Sequence, residues 1–275
     1  MRLQRYLDRI GFEGVPRPDF DSLCRLHRGH ALAIPYENLD VQFRRRVGRE
    51  PSSIFEKIIT NGRGGWCYEM NGLLGWALEE VGFKITRMAG GVRRDVMGDD
   101  AVGNHLVLCV ELDRPYLADV GFGDGLIEPV PIAASSVTQG RFGYSLESLG
   151  QNWWRFFPEP LSRGPSFDFE QAPADETLLD AKCDWLQTHS ESPFVQNAVL
   201  QRHRPDGHVT LRGLVFKREG AVDESFDIES ADHYVAVLAQ EFNLSVLGVA
   251  ELWPQMEARH RAVLAEKSAK LAPGA

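Results

Sequence analysis

The chain has 275 residues, of which 30 are Lys or Arg and 39 are Asp or Glu, so its formal net charge is −9. This acidic balance argues against broad binding to nucleic acid, which depends on basic side chains that neutralise phosphates. No stretch approaches the roughly 20 apolar residues of a membrane-spanning helix, and the charged N-terminus lacks the apolar region of a signal peptide, so we expect a cytoplasmic protein.

The first part of the chain has helical periodicity. The run LQRYLDRI predicts a helix, and Asp19 or Asp21 can cap a second one over PDFDSLCRLHRGHALAI. We expect IPYENLD to be irregular and PSSIFEKIIT to form a third helix, with Ser52 or Ser53 at its N-cap. After the glycine-rich NGRGG, the run CYEMNGLLGWALEEVGF predicts a helix that ends at Gly82.

From about residue 84 the apolar period changes to two, which favours strands. The candidate strands are KITRMAGGV, NHLVLCVEL, RPYLADVGF and NWWRFF, whose spacing predicts an antiparallel sheet or small barrel. The run TLLDAKCDWLQTH predicts a helix. From about residue 191, NAVLQRHRPDGHVTLRGLVFKRE predicts two strands around the turn RPDG. The final run, ELWPQMEARHRAVLAEKSAKLA, predicts an amphipathic helix with Pro254 near its first turn.

The four cysteines, Cys24, Cys67, Cys109 and Cys183, lie far apart. Without a CxxC pair or zinc-ligand spacing we expect neither a metal site nor a disulfide framework. Cys67 stands out because it follows RGGW and falls in the first turn of a predicted helix. Backbone N–H groups there favour an anion, so we expect a lowered thiol pKa and donors for an oxyanion. Alone, this observation leaves Cys67 equally open as a small core side chain, an interpretation that fits the other three cysteines better.

A cysteine nucleophile needs a base and a group that orients the base. Among the eight histidines, only His105 lies in a strongly apolar strand. We expect His27, His30 and His260 to be solvated, because they lie in charged helical stretches. His189, His203 and His208 lie near predicted turns, and His233 is ambiguous.

The strand that contains His105 is followed by a short loop and a second strand, which predicts a hairpin. A loop centred near residues 112 to 113 would place Asp119 opposite or almost opposite His105, with Cβ atoms about 5 Å apart. A buried carboxylate is costly unless it is paired. We therefore favour a His105–Asp119 pair over the alternative that Asp119 simply begins the turn before Gly121.

Together these residues resemble the arylamine N-acetyltransferase family. The matching runs are IPYENLD at 34–40, RGGWCYEMN at 63–71, NHLVL at 104–108 and YLADVGFG at 116–123, with weaker matches at SPF (192–194) and LRG (211–213). The resemblance implies an α+β fold with a cysteine-protease-like core. Its three parts would be an N-terminal helical bundle (1–83) that carries the nucleophile, a central antiparallel β-barrel (84–190) that carries the histidine and aspartate, and a C-terminal α/β lid (191–275).

The same resemblance implies an activity in xenobiotic metabolism. Acetyl would pass by a ping-pong mechanism from acetyl-CoA to the nitrogen of an aromatic amine or hydrazine, through a thioester on Cys67. The family's catalytic residues map onto Cys67, His105 and Asp119 of this sequence. Two further family positions map onto Glu37 and Arg63, which we expect to form a charge pair, with structural and catalytic roles equally open.

Substrate contacts are predicted less directly. Phe122 is expected to line the acceptor pocket or to belong to the barrel core, and Tyr36 to contact substrate. The N–H groups of Gly121, Gly123 and Gly125 are candidates for holding the CoA diphosphate.

The sequence departs from the family at three positions. Asn104 stands where threonine is common, Tyr36 where phenylalanine is common, and Asp124 adds an acid near the expected approach of the acyl donor. The last of these bears on the preference for donor and acceptor.

Two other classes of function remain open at this point. A papain- or transglutaminase-like hydrolase or amidase could use the same triad and release the acyl group to water. A non-enzymatic binding protein could keep the fold without turnover, although the complete triad argues against it. The sequence also leaves open whether the chain works as a monomer or a homodimer.

Overall fold

The computed structural model describes residues 2–160 and 164–271, in which helices and antiparallel sheets are mixed. The helices are α1 Leu3–Ile10, α2 Phe20–Ala33, α3 Leu39–Gln42, α4 Pro51–Phe55, α5 Cys67–Val81, α6 Arg94–Met97, α7 Glu176–Thr188, α8 Pro193–Gln196, α9 Ala231–Phe242 and α10 Trp253–Leu271. The strands are β1 Tyr36–Glu37, β2 Lys84–Val92, β3 His105–Glu111, β4 Pro115–Ala118, β5 Val130–Pro131, β6 Ser135–Gln139, β7 Phe142–Gly150, β8 Trp153–Glu159, β9 Phe167–Glu170, β10 Val199–Arg204, β11 Gly207–Arg212, β12 Val215–Glu219 and β13 Glu224–Asp227.

The first helices mostly follow the capping signals in the sequence. α1 ends at Gly11, whose φ of +66° suits a residue without a side chain. α2 begins after Asp19, whose carboxylate accepts a backbone N–H from the first turn at 2.8 Å. α4 is different, because it begins at Pro51, which has no N–H that needs a partner. The predicted cap at Ser52 or Ser53 is therefore wrong.

Helix α5 divides its buried side chains between two cores. Met70, Leu74, Ala77 and Leu78 pack with α1, α2 and strand β3. Cys67 belongs instead to a second cluster, which includes Trp66 of the preceding turn and Leu106 of β3. The first residue of the helix is thus separated from the main packing face.

An eight-stranded antiparallel sheet follows in the order β5-β4-β3-β2-β9-β8-β7-β6. Strands β2, β3 and β4 fall within three of the predicted runs, and β8 begins in the fourth, NWWRFF, and extends two residues beyond it. In the described part of the chain, β5 and β6 end this order without pairing to each other, so the predicted barrel is an open half-barrel. Leu117 of β4 and Tyr144 of β7 still share one apolar cluster, which requires the sheet to curl.

A second antiparallel sheet has the order β1-β10-β11-β12-β13. Its predicted hairpin is confirmed, since β10 and β11 pair Arg204 with Gly207 across the turn RPDG. The run 34–40, predicted to be irregular, supplies β1, where Tyr36 pairs with Gln201. A strand from the N-terminal part of the chain is therefore built into the C-terminal sheet.

The C-terminal helix α10 has Pro254 at its second position, as predicted. Across residues 2–160 and 164–271, none of the helices combines the length and the apolar character needed to cross a bilayer.

Candidate active site

The glycine turn before α5 is closed by two tight backbone contacts. The N–H of Glu37 donates to Gly65 O at 2.9 Å, and the N–H of Gly65 donates to Pro35 O at 3.3 Å. A Cβ on Gly64 would lie 2.0 Å from Pro35 O, and one on Gly65 would lie 2.7 Å from the Cβ of Glu69. Both positions require glycine because the chain on either side leaves no room for a side chain.

Cys67 is the first residue of α5 and is 3% exposed. Its Sγ lies 3.9 Å from the carbonyl oxygen of Asn104, the residue directly before His105. The Asn104 side chain bonds to both backbone groups of Val92, with Nδ2 donating to O at 3.2 Å and Oδ1 accepting from N–H at 2.8 Å. Asn104 thus fixes the end of β2 beside the start of β3.

The pKa of the Cys67 thiol differs in direction from the sequence prediction. Burial raises this pKa above its ordinary value, and the backbone N–H groups of Leu106 and Tyr68 lower it by less. The contribution of the helix start is present, but removal from water outweighs it. A buried thiolate therefore needs a positive partner, and the helix alone does not supply one.

His105 begins β3, and its Nε2 lies 2.8 Å from Asp119 Oδ2. The residues are 2% and 1% exposed, so this hydrogen bond is shielded from water. The hairpin register pairs Leu108 with Ala118, which would put Val107, and not His105, across from Asp119. The predicted opposition is therefore off by two residues. The pair forms because the chain leaves β4 after Ala118 and turns the carboxylate back toward β3.

Asn71 is a site residue that the sequence analysis missed. Its Nδ2 lies 2.7 Å from Asp119 Oδ1 and 2.6 Å from Leu106 O, and its Oδ1 accepts the N–H of Val120 at 2.9 Å. Asn71 lies four residues after Cys67, on the same face of α5. That spacing was a usable signal, because a buried amide one turn after a nucleophile must have partners.

Asp119 stays ionised because donors surround its carboxylate. Burial on its own would raise the pKa of Asp119, but His105, Asn71 and the N–H of Gly121 together hold it below the ordinary value. Gly121 donates its N–H to Oδ1 at 2.8 Å. An ionised Asp119 can orient His105 and stabilise its protonated form.

His27 and His30 correct a second prediction. Both side chains are fully buried, although their helix α2 carries many charges and the sequence predicted solvated rings. His27 Nε2 accepts the backbone N–H of Asp119 at 3.0 Å, and His27 Nδ1 lies 2.8 Å from Ile127 O. His30 Nδ1 bonds to the hydroxyl of Tyr6 at 3.0 Å. These rings lie on the inner face of α2. The number of charged residues in the helix does not reveal which of its faces is buried.

The predicted substrate residues, Phe122 and Tyr36, lie near the His105–Asp119 pair. The Phe122 ring lies 5.5 Å from the His105 ring and 4.9 Å from Phe167, measured between centroids, and it packs against the half-barrel core. The alternative that Phe122 belongs to the half-barrel core is thus confirmed, and its place in the acceptor pocket stays a prediction. Tyr36 borders a small cavity that also touches Asp119 and Phe122. Its contact with substrate stays a prediction.

The three glycines of the loop after Asp119 differ from one another. The N–H of Gly121 is already donated to Asp119, so its predicted role toward the CoA diphosphate is revised. Gly123 has φ +79°, and a Cβ there would lie 1.9 Å from Gln201 Oε1. For Gly123 and Gly125 the phosphate-binding role stays a prediction. Among the described residues, no group of three or more His, Cys, Asp or Glu side chains could hold a metal ion.

Replacing Gly121 by alanine is expected to slow reaction at Cys67 about a hundredfold, because small displacements of a nucleophile are costly. The new Cβ would lie 2.8 Å from Cys67 Cα and 2.7 Å from Asn71 Nδ2. The rate of Cys67 alkylation by iodoacetamide measures the effect. Gly48→Ala is the matched control, since a Cβ there meets nothing within 4 Å. Equal rates in the two variants would contradict the steric explanation.

A buried charge network supports the glycine turn. Arg63 Nη2 lies 2.7 Å from Glu37 Oε1 and 3.3 Å from Asp40, so the predicted Glu37–Arg63 pair is present. Lys57 Nζ lies 2.8 Å from both Asp40 and Glu69. Burial raises the pKa of Glu69 to about 7, against the opposing effect of Lys57. Glu69 also accepts the N–H of Trp66 at 3.3 Å, which links the network to the start of α5.

Arg63→Leu is expected to lower the free energy of unfolding by about 3–5 kcal/mol, because it leaves a buried carboxylate without its partner. Glu37 is completely buried. The melting temperature should fall by roughly 6–15 °C in a thermal unfolding experiment. Arg46→Leu serves as control, since the Arg46 side chain is 76% exposed and its pair with Asp184 should contribute little. A wild-type melting temperature for Arg63→Leu would show that the pair is dispensable.

Comparisons with known proteins cover most of the chain. A family model described as N-acetyltransferase matches residues 19–250. An arylamine N-acetyltransferase of Mycolicibacterium smegmatis is 34% identical over 257 residues, covering 90% of this chain and 93% of the relative. A Salmonella typhimurium protein, named arylamine N-acetyltransferase / N-hydroxyarylamine O-acetyltransferase, is 29% identical over 265 residues, covering 93% of each chain.

Solved structures give the same result. The M. smegmatis arylamine N-acetyl transferase superposes with a TM-score of 0.83 at 31% identity, covering 92% of this chain and 97% of that one. The Mycobacterium marinum arylamine N-acetyltransferase in complex with CoA gives 0.84 at 27% identity, covering 94% and 98%. These chains and the present one share one fold over nearly their whole length.

Proposed function

The chain belongs to the arylamine N-acetyltransferase family, and on that basis we propose that Cys67, His105 and Asp119 transfer acetyl from acetyl-CoA to the nitrogen of an aromatic amine or hydrazine. The enzyme is thus an acetyl-CoA-dependent acyltransferase. The observation that carries the assignment is the 2.8 Å bond between His105 Nε2 and Asp119 Oδ2. The thiol of Cys67 stands at a helix N-terminus, with its Sγ 3.9 Å from the carbonyl oxygen of the residue before His105.

The assignment of the ring nitrogens follows from that bond. Because an ionised carboxylate only accepts, His105 Nε2 carries the proton that it donates to Asp119. Nδ1 is then left as the base for the thiol of Cys67. This arrangement supplies the positive partner that a buried thiolate needs.

The first half-reaction acetylates Cys67. His105 Nδ1 takes the thiol proton, and Asp119 stabilises the resulting imidazolium. The thiolate attacks the acetyl carbonyl, and N–H groups at the start of α5 stabilise the oxyanion. The bond from the carbonyl carbon to the CoA sulfur then breaks. His105 returns its proton to that sulfur, so free CoA leaves and an acetyl thioester remains on Cys67.

The second half-reaction transfers the acetyl group to the amine. A neutral amine attacks the thioester carbonyl, and His105 accepts a proton from its nitrogen. The bond to Cys67 Sγ breaks and the thiol is restored. Each half-reaction forms one bond to the acetyl carbon and breaks another, without a change of oxidation state. The scheme therefore needs no oxidant, reductant or metal. Water competes poorly, because the three residues are each at most 3% exposed.

Several finer features belong to the same proposal. Tyr36 and Phe122 contact the amine, while Gly123 and Gly125 face the CoA diphosphate.

The chain divides its work among three segments. Residues 1–83 form the bundle that carries the nucleophile, residues 84–190 form the half-barrel that carries the histidine and aspartate, and residues 191–275 form the lid. All three catalytic residues come from one chain, so activity needs no second subunit, although a homodimer is compatible with it. A cytoplasmic location suits a thiol that must stay reduced.

Intact-mass measurement after mixing with acetyl-CoA tests the function directly. We expect one acetyl group, about 42 Da heavier by composition, on Cys67, and its loss when an arylamine is added. An adduct discharged by water as quickly as by the amine would favour the hydrolase alternative instead. Complete absence of an adduct on the wild-type protein would leave the binding-protein alternative.

A further inference from the structure

His27 makes two hydrogen bonds that the proposed mechanism does not use. It projects from α2 and is fully buried. Its Nε2 lies 3.0 Å from the backbone nitrogen of Asp119, and its Nδ1 lies 2.8 Å from the carbonyl oxygen of Ile127. The side chain therefore bridges the two ends of one loop.

The partners determine which nitrogen carries the proton. The Asp119 N–H can only donate, so Nε2 must be an unprotonated acceptor. The Ile127 carbonyl can only accept, so Nδ1 must be the donor. The ring is therefore neutral, with its proton on Nδ1. Burial supports the same state, because it lowers the pKa of His27.

The loop between these two contacts carries two residues that contact His105. It begins with Asp119 and includes Phe122, whose ring lies 5.5 Å from the ring of His105. The Asp119 carboxylate is held by Asn71 and Gly121, but those bonds fix only the side chain. The backbone N–H of Asp119 itself is held by His27, while Asn71 Oδ1 accepts the next one along the chain, that of Val120. Without His27, the Asp119 N–H loses the acceptor that opposes rotation of its peptide.

We propose that His27 is a positioning residue for the acetyl transfer, which sets the Asp119 backbone so that the carboxylate meets His105. The inference rests on the proposed function, because it assigns His27 a role in that same reaction. His27 does not touch the reacting atoms, and its effect passes through Asp119.

Two amide substitutions separate the two hydrogen bonds. In His27→Gln, the amide reaches the position of Nε2, so its oxygen can accept the Asp119 N–H while the Ile127 contact is lost. In His27→Asn, the shorter amide reaches only the position of Nδ1, so it can donate to Ile127 while the Asp119 N–H is left without an acceptor. The variants share one functional group and differ by a single methylene, which makes each the control for the other.

The measurement is the single-turnover rate of Cys67 acetylation by acetyl-CoA, followed by intact mass and normalised to folded protein. We expect His27→Gln to stay within about threefold of wild type and His27→Asn to fall about tenfold or more, since an unpaired buried N–H is costly. The KM for acetyl-CoA should change little in either. Alkylation of Cys67 by iodoacetamide should slow in parallel in His27→Asn.

The outcomes separate this inference from the proposed function. A wild-type protein that acetyl-CoA does not acetylate contradicts the function itself. Acetylated wild type with equal rates in both variants overturns the role of His27, as does a change confined to thermal stability. If His27→Asn does not fold, His27→Gln alone decides, because a tenfold loss in that variant contradicts the proposal and retention of the rate supports it.

Discussion

Cys67→Ser is expected to abolish formation of the acetyl-enzyme while leaving the fold intact. Serine is nearly isosteric with cysteine, so we expect the cluster in which Cys67 packs to accommodate this change in one atom. The hydroxyl, however, is far less acidic than the thiol, and burial opposes its ionisation further. The acetylation rate should fall by at least about a thousandfold, because the nucleophile and its base act as one unit.

The measurement is intact mass after exposure to acetyl-CoA, with circular dichroism to verify folding. Cys24→Ser is the matched control, since Cys24 is a half-buried free cysteine whose pKa is raised to about 11 by burial. It should form the adduct at the wild-type rate. An acetyl group on Cys67→Ser, or its absence from Cys24→Ser, would place the nucleophile elsewhere.

Asp119→Ala should lose both activity and stability, whereas Asp119→Asn should lose mainly activity. Alanine leaves three buried donors without an acceptor, on His105, Asn71 and Gly121. Each such loss costs about 1–3 kcal/mol if nothing replaces it. We expect a melting temperature lower by roughly 5–15 °C and a transfer rate lower by about 10³–10⁴-fold.

Asparagine at position 119 fills the same space but reverses one hydrogen bond. Asn71 and the N–H of Gly121 both donate to Oδ1, so the oxygen of an asparagine must take that place. Its NH₂ group would then face His105 Nε2 and donate to it. The imidazole proton would be forced onto Nδ1, and the nitrogen proposed as the base could then no longer accept the Cys67 thiol proton.

Steady-state kinetics and thermal unfolding of both variants test this argument. A stable Asp119→Asn protein with about 10³–10⁴-fold lower kcat supports it. An active Asp119→Asn protein would mean that Asp119 orients nothing and that its charge is unimportant. Restored activity of Asp119→Ala on adding formate would localise the defect to the missing carboxylate.

The residues proposed as nucleophile, base and orienting acid could be picked out from the sequence because each carries a local signal. Cys67 closely follows two glycines that the chain geometry requires, and His105 and Asp119 are polar residues within apolar runs of the sequence. The pairing register could not be predicted to the residue, since Asp119 lies just beyond the end of β4. Where a strand ends depends on tertiary contacts, not on the pattern of the strand.

The direction of the Cys67 pKa was not predictable from the helix start, because it depends on how much of the surrounding protein excludes water. Likewise, a charged helix sequence did not reveal that His27 and His30 face inward. Asn71 and Lys57 carried weaker signals, since an amide and a lysine on helices are usually solvated. Their roles depend on partners from other parts of the chain, Asp119 for Asn71 and Asp40 for Lys57, which the sequence pattern does not identify.

The strand Tyr36–Glu37 has a consequence for how the enzyme forms during synthesis. A nascent chain that ends near residue 190 already contains Cys67, His105 and Asp119, but lacks β10, the partner of β1. Until residues 199–204 emerge from the ribosome, the edge of β1 that pairs with β10 remains open. β1 is then held only by the bridge between Tyr36 and Gly65 of the glycine turn. We therefore expect reactivity toward acetyl-CoA to be acquired late in translation, and a chain that ends near residue 190 to carry the proposed catalytic residues without the activity.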